Sequence, residues 1–288
     1  MDEVVTRFAP SPTGRLHLGH AYSCLLSHDY ARARGGAFLL RIEDIDPGRA
    51  RPEHVAGIIE DLAWLGIEWD GDILFQSRRL PLYAGALERL KAMDLVYPCF
   101  CTRSEIAAEI AASAAAPHGP DGPLYPGTCR ALPPREREAR MAREPHAWRL
   151  DVMKALECAG PLYWEDGDTE VAAEPQAFGD VVLARKDAPT SYHLAVTVDD
   201  AAQGITDVVR GRDLYAATDI HRLLQALLGL PTPQYHHHDL LTDAQGQRLA
   251  KRHGAQSLAD LRAGGADPVQ LTADLRAGRL PAGYASRL

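Results

Sequence analysis

Val4-Val5-Thr6-Arg7-Phe8-Ala9 runs directly into Pro10-Ser11-Pro12-Thr13-Gly14-Arg15-Leu16-His17-Leu18-Gly19-His20, and the reading of this stretch decides the fold. Its first six residues have the β-branched and aromatic character of a short buried strand, whereas the two prolines and the glycine that follow cannot continue a ladder. A helix is expected next: from Leu18 to Ala33 the apolar positions Ala21, Cys24, Leu25 and Leu26 recur near helical spacing, and Gly35-Gly36 supplies a stop. Ala37-Phe38-Leu39-Leu40-Arg41-Ile42-Glu43 then reads as a second apolar strand running into acids, followed by a helical pattern from Pro52 to Leu65. Strand, helix, strand, helix is the alternation of a parallel sheet with crossover helices, in which ligands sit at the carboxyl ends of the strands. The loop 10–17 and the acids at 43–46 both lie at such ends.

Further along, a helix is expected from Leu80 to Met93, and the character changes at Val96-Tyr97-Pro98-Cys99-Phe100-Cys101. Residues 99–185 read as an inserted α+β subdomain. It holds an alanine-rich helix (105–116), a Pro/Gly loop (117–126), an Arg/Glu-rich helix (134–144) and strand-like pieces at 148–152 and 180–184. The sheet pattern returns at Ser191–Val198 and at Asp207–Gly211, then a helix at Thr218–Leu228, and strand-like segments at Tyr235–Leu241 and Gln247–Ala250. The division expected is therefore an α/β domain in two halves, 1–98 and 186–252, around the insert, with a short helical tail at 253–288 in which Asp267-Pro268 forms a cap and first turn.

The 288 residues are 46% hydrophobic and 24% charged, with no apolar run approaching the roughly 18 residues that span a bilayer. A folded, soluble protein is expected, and the acidic N-terminus, unlike a signal peptide, makes the cytoplasm the default compartment. A net charge of -8 argues against nonspecific binding to polyanions such as DNA, while leaving room for a local basic groove. Five cysteines, an odd number in a chain of this length, suit thiols or metal ligands better than a disulfide framework. Only four of the 31 cationic residues are lysines, so a lysine inside a motif carries extra interest.

Neither GxxxxGK[ST] nor GxGxxG occurs, so the common phosphate cradles are absent. Instead, His17 and His20 stand three apart at the mouth of a helix, where two imidazoles on one face and the positive helix end can hold phosphate oxygens. The string Arg7 to His20 resembles the HIGH signature of class I aminoacyl-tRNA synthetases, in the version found in glutamyl enzymes. The resemblance implies a Rossmann-like catalytic domain in which His17, Gly19 and His20 bind ATP, Gly19 letting the adenine approach the backbone. Arg248-Leu249-Ala250-Lys251-Arg252 is similar to the KMSKS loop, with Lys251 at the position of the catalytic, ATP-binding lysine; Arg248 and Ala250 depart from the pattern. Guanidinium is the natural partner of a carboxylate. By resemblance, Arg7 and Arg210 lie near the amino-acid substrate, Ser11 and Tyr192 supply hydroxyls, Glu43 accepts from the α-ammonium, and Phe8, Ala9 and Pro10 complete the L-glutamate site.

By spacing alone, Cys99-x-Cys101 and Tyr125-x3-Cys129 leave free thiols and a metal site both open. The resemblance implies one structural zinc on Cys99, Cys101, Tyr125 and Cys129, as in some glutamyl-type members, with His118 as a reserve donor. His236-His237-His238 cannot chelate one ion, because successive strand residues point to opposite faces. The resemblance extends from position 4 to about 255, after which full-length glutamyl-tRNA synthetases continue into an anticodon-binding region. With 36 residues left after Arg252, the chain is similar to the glutamyl-Q tRNA(Asp) synthetases, short enzymes that use ATP with Mg2+ to attach glutamate to queuosine in tRNA(Asp). Arginines 130, 135, 137, 140, 143 and 149 are the expected source of positive charge for the RNA. The alternatives are a truncated synthetase charging the acceptor end, a small HxGH nucleotidyltransferase, and a non-catalytic paralogue that only binds tRNA or glutamate.

Overall fold

The computed structural model describes residues 3–112, 118–120, 122–243, 256–280 and 284–286. The first half consists of β1 (Val5–Phe8), α1 (Leu18–Arg32), β2 (Ala37–Ile42), α2 (Pro52–Trp64), β3 (Leu74–Phe75) and α3 (Leu80–Ala92). β1, β2 and β3 are parallel, with Val5 opposite Ala37 and Arg41 opposite Leu74. The middle of the chain contributes β4 (Val96–Cys99), α4 (Arg103–Ala112), the two-residue strands β5 (His118–Gly119) and β6 (Gly122–Pro123), α5 (Pro134–Met141) and β7 (Ala147–Leu150). It continues with α6 (Val152–Ala159), β8 (Tyr163–Asp166), β9 (Thr169–Ala172) and β10 (Val182–Ala184). The remainder is α7 (Tyr192–Ala202), β11 (Asp207–Gly211), α8 (Ala217–Leu228), β12 (Gln234–His238), β13 (Leu241–Asp243), α9 (Leu258–Ala263), α10 (Pro268–Arg276) and β14 (Tyr284–Ser286).

β11 and β12 are parallel in register Asp207 to Gln234, β8 joins β12 in parallel, and β9 turns back along β8. The two halves meet at β1, where Thr206 N donates to Val5 O at 3.0 Å and Val5 N donates to Thr206 Oγ1 at 2.8 Å. β1 thus stands between β2 and the β11 half, and the crevice beyond its carboxyl end is where such a sheet receives ligands. One apolar core gathers Leu18, Leu25, Phe38, Leu40, Ile58 and Leu62 around α1, α2 and β2. Another joins Tyr83, Leu90, Leu150, Leu194, Leu223 and Leu224 from α3, β7, α7 and α8.

Two sequence expectations need correction. Ser191–Val198 does not continue the sheet; it begins α7, with the Ser191 hydroxyl accepting from Leu194 N as an N-cap. The β-branched run Val196-Thr197-Val198 suggests a strand, and because every residue from Leu194 to Asp200 is buried there is no polar face to reveal a helical period. Residues 99–185 do not form one separate body either. β4, β7 and β10 make a small antiparallel sheet, but α6 packs into the core with α8, and β8 pairs with β12 of the main sheet. Asp151 ends the expected strand at 148–152 by capping α6. The segment Gln247–Ala250 lies outside the described residues. Among the described residues no helix is long and apolar enough to cross a membrane.

Gly36 sets the entry to β2. Ala37 N donates to Val4 O at 2.8 Å, and a Cβ on Gly36 would stand 2.1 Å from that same oxygen. Gly36→Ala must therefore pry β2 from the start of β1, and the urea midpoint should fall by the equivalent of about 1–3 kcal/mol; an unchanged midpoint would contradict this packing.

Candidate active site

A cleft of about 1030 Å³ opens beyond the carboxyl ends of β1 and β11. It is lined by Arg7 to Ser11 and by His17, Gly19 and His20, and also by Glu43, Tyr192 and Arg210, so the described residues expected at the site converge on one cavity. Lys251 and its neighbours Arg248 to Arg252 lie outside the described residues. The described segments on either side of them reach the cleft region: Leu241 lines it, and Ser257 forms an isolated bridge with His17 while Leu258 N donates to Leu16 O at 2.9 Å.

His17 is the N-cap of α1. Its Nδ1 accepts from Gly19 N at 3.1 Å, and His20 Nδ1 accepts from His17 N at 3.1 Å, a reciprocal capping box built from imidazoles. With Nδ1 an acceptor in both rings, the neutral form of each carries its proton on Nε2. The ring centroids are 3.8 Å apart, so the pair acts as one unit at the positive end of the helix. A Cβ at position 19 would come within 3.0 Å of the His17 ring, which gives Gly19 a local reason to be glycine.

One side of the cleft is built on a buried charge cluster. Asp200 of α7 receives Arg7 Nε at 3.0 Å and also the Arg41 guanidinium, and Arg41 Nε donates to Gln203 Oε1 at 2.8 Å. Burial alone would raise the Asp200 carboxyl, but the charges of Arg7 and Arg41 hold it below the ordinary range. Arg41 NH1 stands 3.9 Å from Glu43 Oε1. Burial outweighs both arginines at Glu43 and pushes its carboxyl up to about 7. The Tyr192 phenol, also raised by burial, to about 12, stays a donor. Asp199, beside Asp200, ties α7 to the region after β3 by accepting from Gln76 at 2.9 Å, Arg79 at 2.7 Å and Tyr83 at 2.6 Å.

Arg210, near the end of β11, is 5% exposed and held on several sides. Its Nε donates to His237 Nε2 at 3.1 Å and NH1 to His221 Nδ1 at 3.4 Å, while NH2 reaches Thr218 Oγ1 at 2.6 Å and Leu214 O at 3.2 Å. Of the three consecutive histidines, His236 pairs with Asp207 at 2.8 Å and His237 with Asp166 at 3.0 Å, while His238 meets Ser23 at 3.0 Å. They diverge to separate partners, as strand alternation requires.

The Sγ atoms of Cys99, Cys101 and Cys129 all lie within 4.8 Å of one another, a set that could hold a metal ion. Tyr125 Oη is 3.5 Å from Cys101 Sγ and accepts from Cys129 N at 2.9 Å. The His118 side chain falls outside the described part. Of the six arginines expected to face RNA, four have structural occupations. Arg130 pairs with Asp180 at 3.0 Å and Arg137 donates to Arg130 O at 3.1 Å. Arg140 pairs with Glu144 at 2.8 Å, and Arg149 donates to Asp180 O at 2.6 Å. Arg135 and Arg143 are exposed. Sequence reasoning missed Arg41, Asp200, His221 and His237. An arginine inside the apolar run Leu39 to Ile42 is the one signal that could have pointed to a buried anion.

Residues 3–279 match the family described as tRNA synthetases class I (E and Q), catalytic domain. A relative named Glutamyl-Q tRNA(Asp) synthetase, from Rhodobacter capsulatus, is 53% identical over 277 residues, covering 93% of this chain and 98% of its own. Another of that name, from Deinococcus radiodurans, is 46% identical, covering 94% of this chain and 88% of its own. Among solved structures, the glutamate-tRNA synthetase of Elizabethkingia anophelis superposes with a TM-score of 0.74 at 29% identity. That match covers 88% of this chain and 53% of the solved one, so the chain spans about half the length of that enzyme. A glutamate tRNA ligase from Elizabethkingia meningosepticum, solved in complex with its amino acid, gives 0.73 at 29% identity with the same coverage. The fold, the histidine pair at the head of α1 and these likenesses agree, and the chain belongs to the class I tRNA synthetases of the E and Q group, with the α/β catalytic domain of those ligases.

Proposed function

We propose that the chain activates L-glutamate with ATP, taken up as its Mg2+ complex, and passes the glutamyl group to queuosine in the anticodon of tRNA(Asp). The observation that carries this reading is that a histidine pair fit for phosphate and two arginines fit for a carboxylate share one cleft. In it the α-carboxylate of glutamate attacks the α-phosphorus of ATP and pyrophosphate leaves; a hydroxyl of the acceptor then attacks the glutamyl carbonyl and AMP leaves. His17 and His20, as Nε2–H donors, steady phosphate oxygens, Gly19 leaves room for the adenine, and Lys251 holds the departing pyrophosphate. Arg7 and Arg210, with Ser11 and Tyr192, bind the carboxylates of glutamate; Phe8, Ala9 and Pro10 shape the walls, and Glu43 takes the α-ammonium. Catalysis here is positioning and charge stabilisation.

The 53% identity with a relative named Glutamyl-Q tRNA(Asp) synthetase, over 98% of that relative's chain, supports queuosine over the acceptor end. Queuosine carries a cyclopentene ring with neighbouring cis hydroxyls, a chemical counterpart of the terminal ribose diol. We further propose that Cys99, Cys101, Tyr125 and Cys129 hold one Zn2+. The three converging thiols and the phenol suit it, and Phe100 N, 3.3 Å from Cys129 Sγ, would support a thiolate. Four protein ligands leave no open position, so the zinc would order the region around β4, β7 and β10 and take no part in chemistry.

Exchange of labelled pyrophosphate into ATP should depend on glutamate, far less on glutamine or aspartate, and should need no tRNA. Glu43 accepts from an ammonium only as a carboxylate, and its carboxyl sits at about 7. The KM for glutamate should therefore rise as pH falls below that value and level off above it. In the same assay Lys251→Ala should lower kcat by about a hundredfold or more with a much smaller change in glutamate binding. Equal exchange with all three amino acids would exclude the reading.

Elemental analysis should find one zinc per chain, and chelation should make the region from 99 to 150 sensitive to protease. Zinc-free protein that stays equally resistant would remove the metal. Labelled glutamate should enter queuosine-containing tRNA(Asp) even after its terminal adenosine is removed, and should not enter the same tRNA lacking queuosine. The reverse pattern would identify an acceptor-end synthetase.

A further inference from the structure

We infer that His221 and His237 are positioning residues for Arg210, two neutral imidazoles whose bare nitrogens fix the plane of its guanidinium and aim its remaining N–H into the cleft. The inference rests on the cleft being a glutamate site.

An arginine can only donate, so every ring nitrogen facing it must accept. His237 Nε2 lies 3.1 Å from Arg210 Nε, so its proton belongs on Nδ1. Nδ1 is 3.0 Å from Asp166 Oδ1, which also takes the His237 backbone N–H at 2.9 Å, and the carboxylate therefore fixes both tautomer and orientation. Thr218 Oγ1 accepts from Arg210 at 2.6 Å and stands 3.4 Å from His237 Nε2. His221 repeats the logic from the other side. Its Nδ1 faces Arg210 NH1 at 3.4 Å, so its proton is on Nε2, directed at His193 Nδ1 3.2 Å away. Burial first, and then the charge of Arg210, keep these rings below the ordinary imidazole range, His237 at about 4.

Together these contacts, with the bond to Leu214 O, occupy Nε, one N–H of NH1 and both N–H of NH2. One N–H on NH1 is left for the cleft that Arg210 lines. A guanidinium with a single outward donor in a fixed plane can bind a carboxylate oxygen in one geometry. The aromatic faces around it add support, with Tyr235 stacked on His237 at 5.9 Å and the Arg210 guanidinium 5.1 Å from the Tyr235 ring. A loose arginine would give charge without direction. Accepting imidazoles supply direction without cancelling the charge, which a carboxylate in their place would do.

The two rings present different nitrogens to Arg210, and this permits a reciprocal test. An asparagine carbonyl falls near the Nδ1 position of a histidine and a glutamine carbonyl near the Nε2 position. His221→Asn and His237→Gln therefore retain the acceptor, whereas His221→Gln and His237→Asn displace it by about one bond. In glutamate-dependent pyrophosphate exchange the first two should stay within about threefold of the unmodified enzyme. The second two should raise the KM for glutamate about tenfold, with kcat and the KM for ATP changed less than about twofold. If all four variants behave alike, whether intact or equally impaired, the rings only fill space and the inference fails. If the unmodified enzyme shows no glutamate-dependent exchange, the glutamate reading of the cleft fails and takes this inference with it. Should the displaced-acceptor variants lose their fold, intact glutamate affinity in a folded His221→Leu would overturn the proposal. A tenfold weaker affinity there, restored in His221→Asn, would uphold it.

Discussion

Asp200, buried between Arg7 and Arg41, is the interaction on which the site depends. Its carboxylate joins β1 and β2 to α7, which comes some 150 residues later, and it aligns buried Arg7 in the lining of the cleft. Removing one member of such a cluster typically costs about 3–5 kcal/mol, because the partners stay behind as uncompensated buried charges. The linkage has a definite sign. A carboxyl held below its unfolded value stabilises the fold above that unfolded value and ceases to do so as pH falls through the folded one. α7 in turn carries Tyr192 at its first turn and Asp199 on its buried length, so one ion cluster sets both the floor of the cleft and the helix that bounds it.

The chain as a whole is acidic, with a formal charge of -8, yet three arginines, Arg7, Arg49 and Arg210, line the cleft. Two carboxyls line it with them, Asp213 and Glu43, the second pushed up to about 7 by burial. The imidazoles around Arg210 add none, since burial keeps them neutral. Cationic groups thus outnumber anionic ones in the lining, the reverse of the chain as a whole, and their field is strengthened by a low-dielectric wall.

Much of this was legible in the sequence, for identifiable reasons. Two prolines and a glycine end β1 by chemistry that needs no tertiary context, and the histidine pair reads as a motif because its roles are local to one helix turn. The Cys99, Cys101, Tyr125 and Cys129 set could be named because a family resemblance supplied it; its spacing alone left free thiols equally open. What stayed hidden depends on long-range burial. α7 reads as a strand because it is buried on all sides, α6 and β8 read as insert because their partners come 60 or so residues later, and most of the arginines of α5 and its surroundings are taken up by Asp180, Glu144 and backbone carbonyls. The ring nitrogens that face Arg210 leave no mark in local sequence, and the anion that pairs with Arg41 is signalled only by that arginine's place in an apolar run.

The bond between Val5 and Thr206 spans 201 positions of chain, and that between Arg7 and Asp200 spans 193. At synthesis rates of about 5–20 residues per second, β1 emerges from the ribosome some 10–40 s before its second neighbour exists. During that interval β1 can pair with β2 on one edge only, and its other edge is an open template for foreign strands. Contacts of such high sequence separation also slow folding, because the loop between the partners must close before they are made. Until α7 and β11 arrive to close the sheet, that open edge is the exposed liability of the nascent chain.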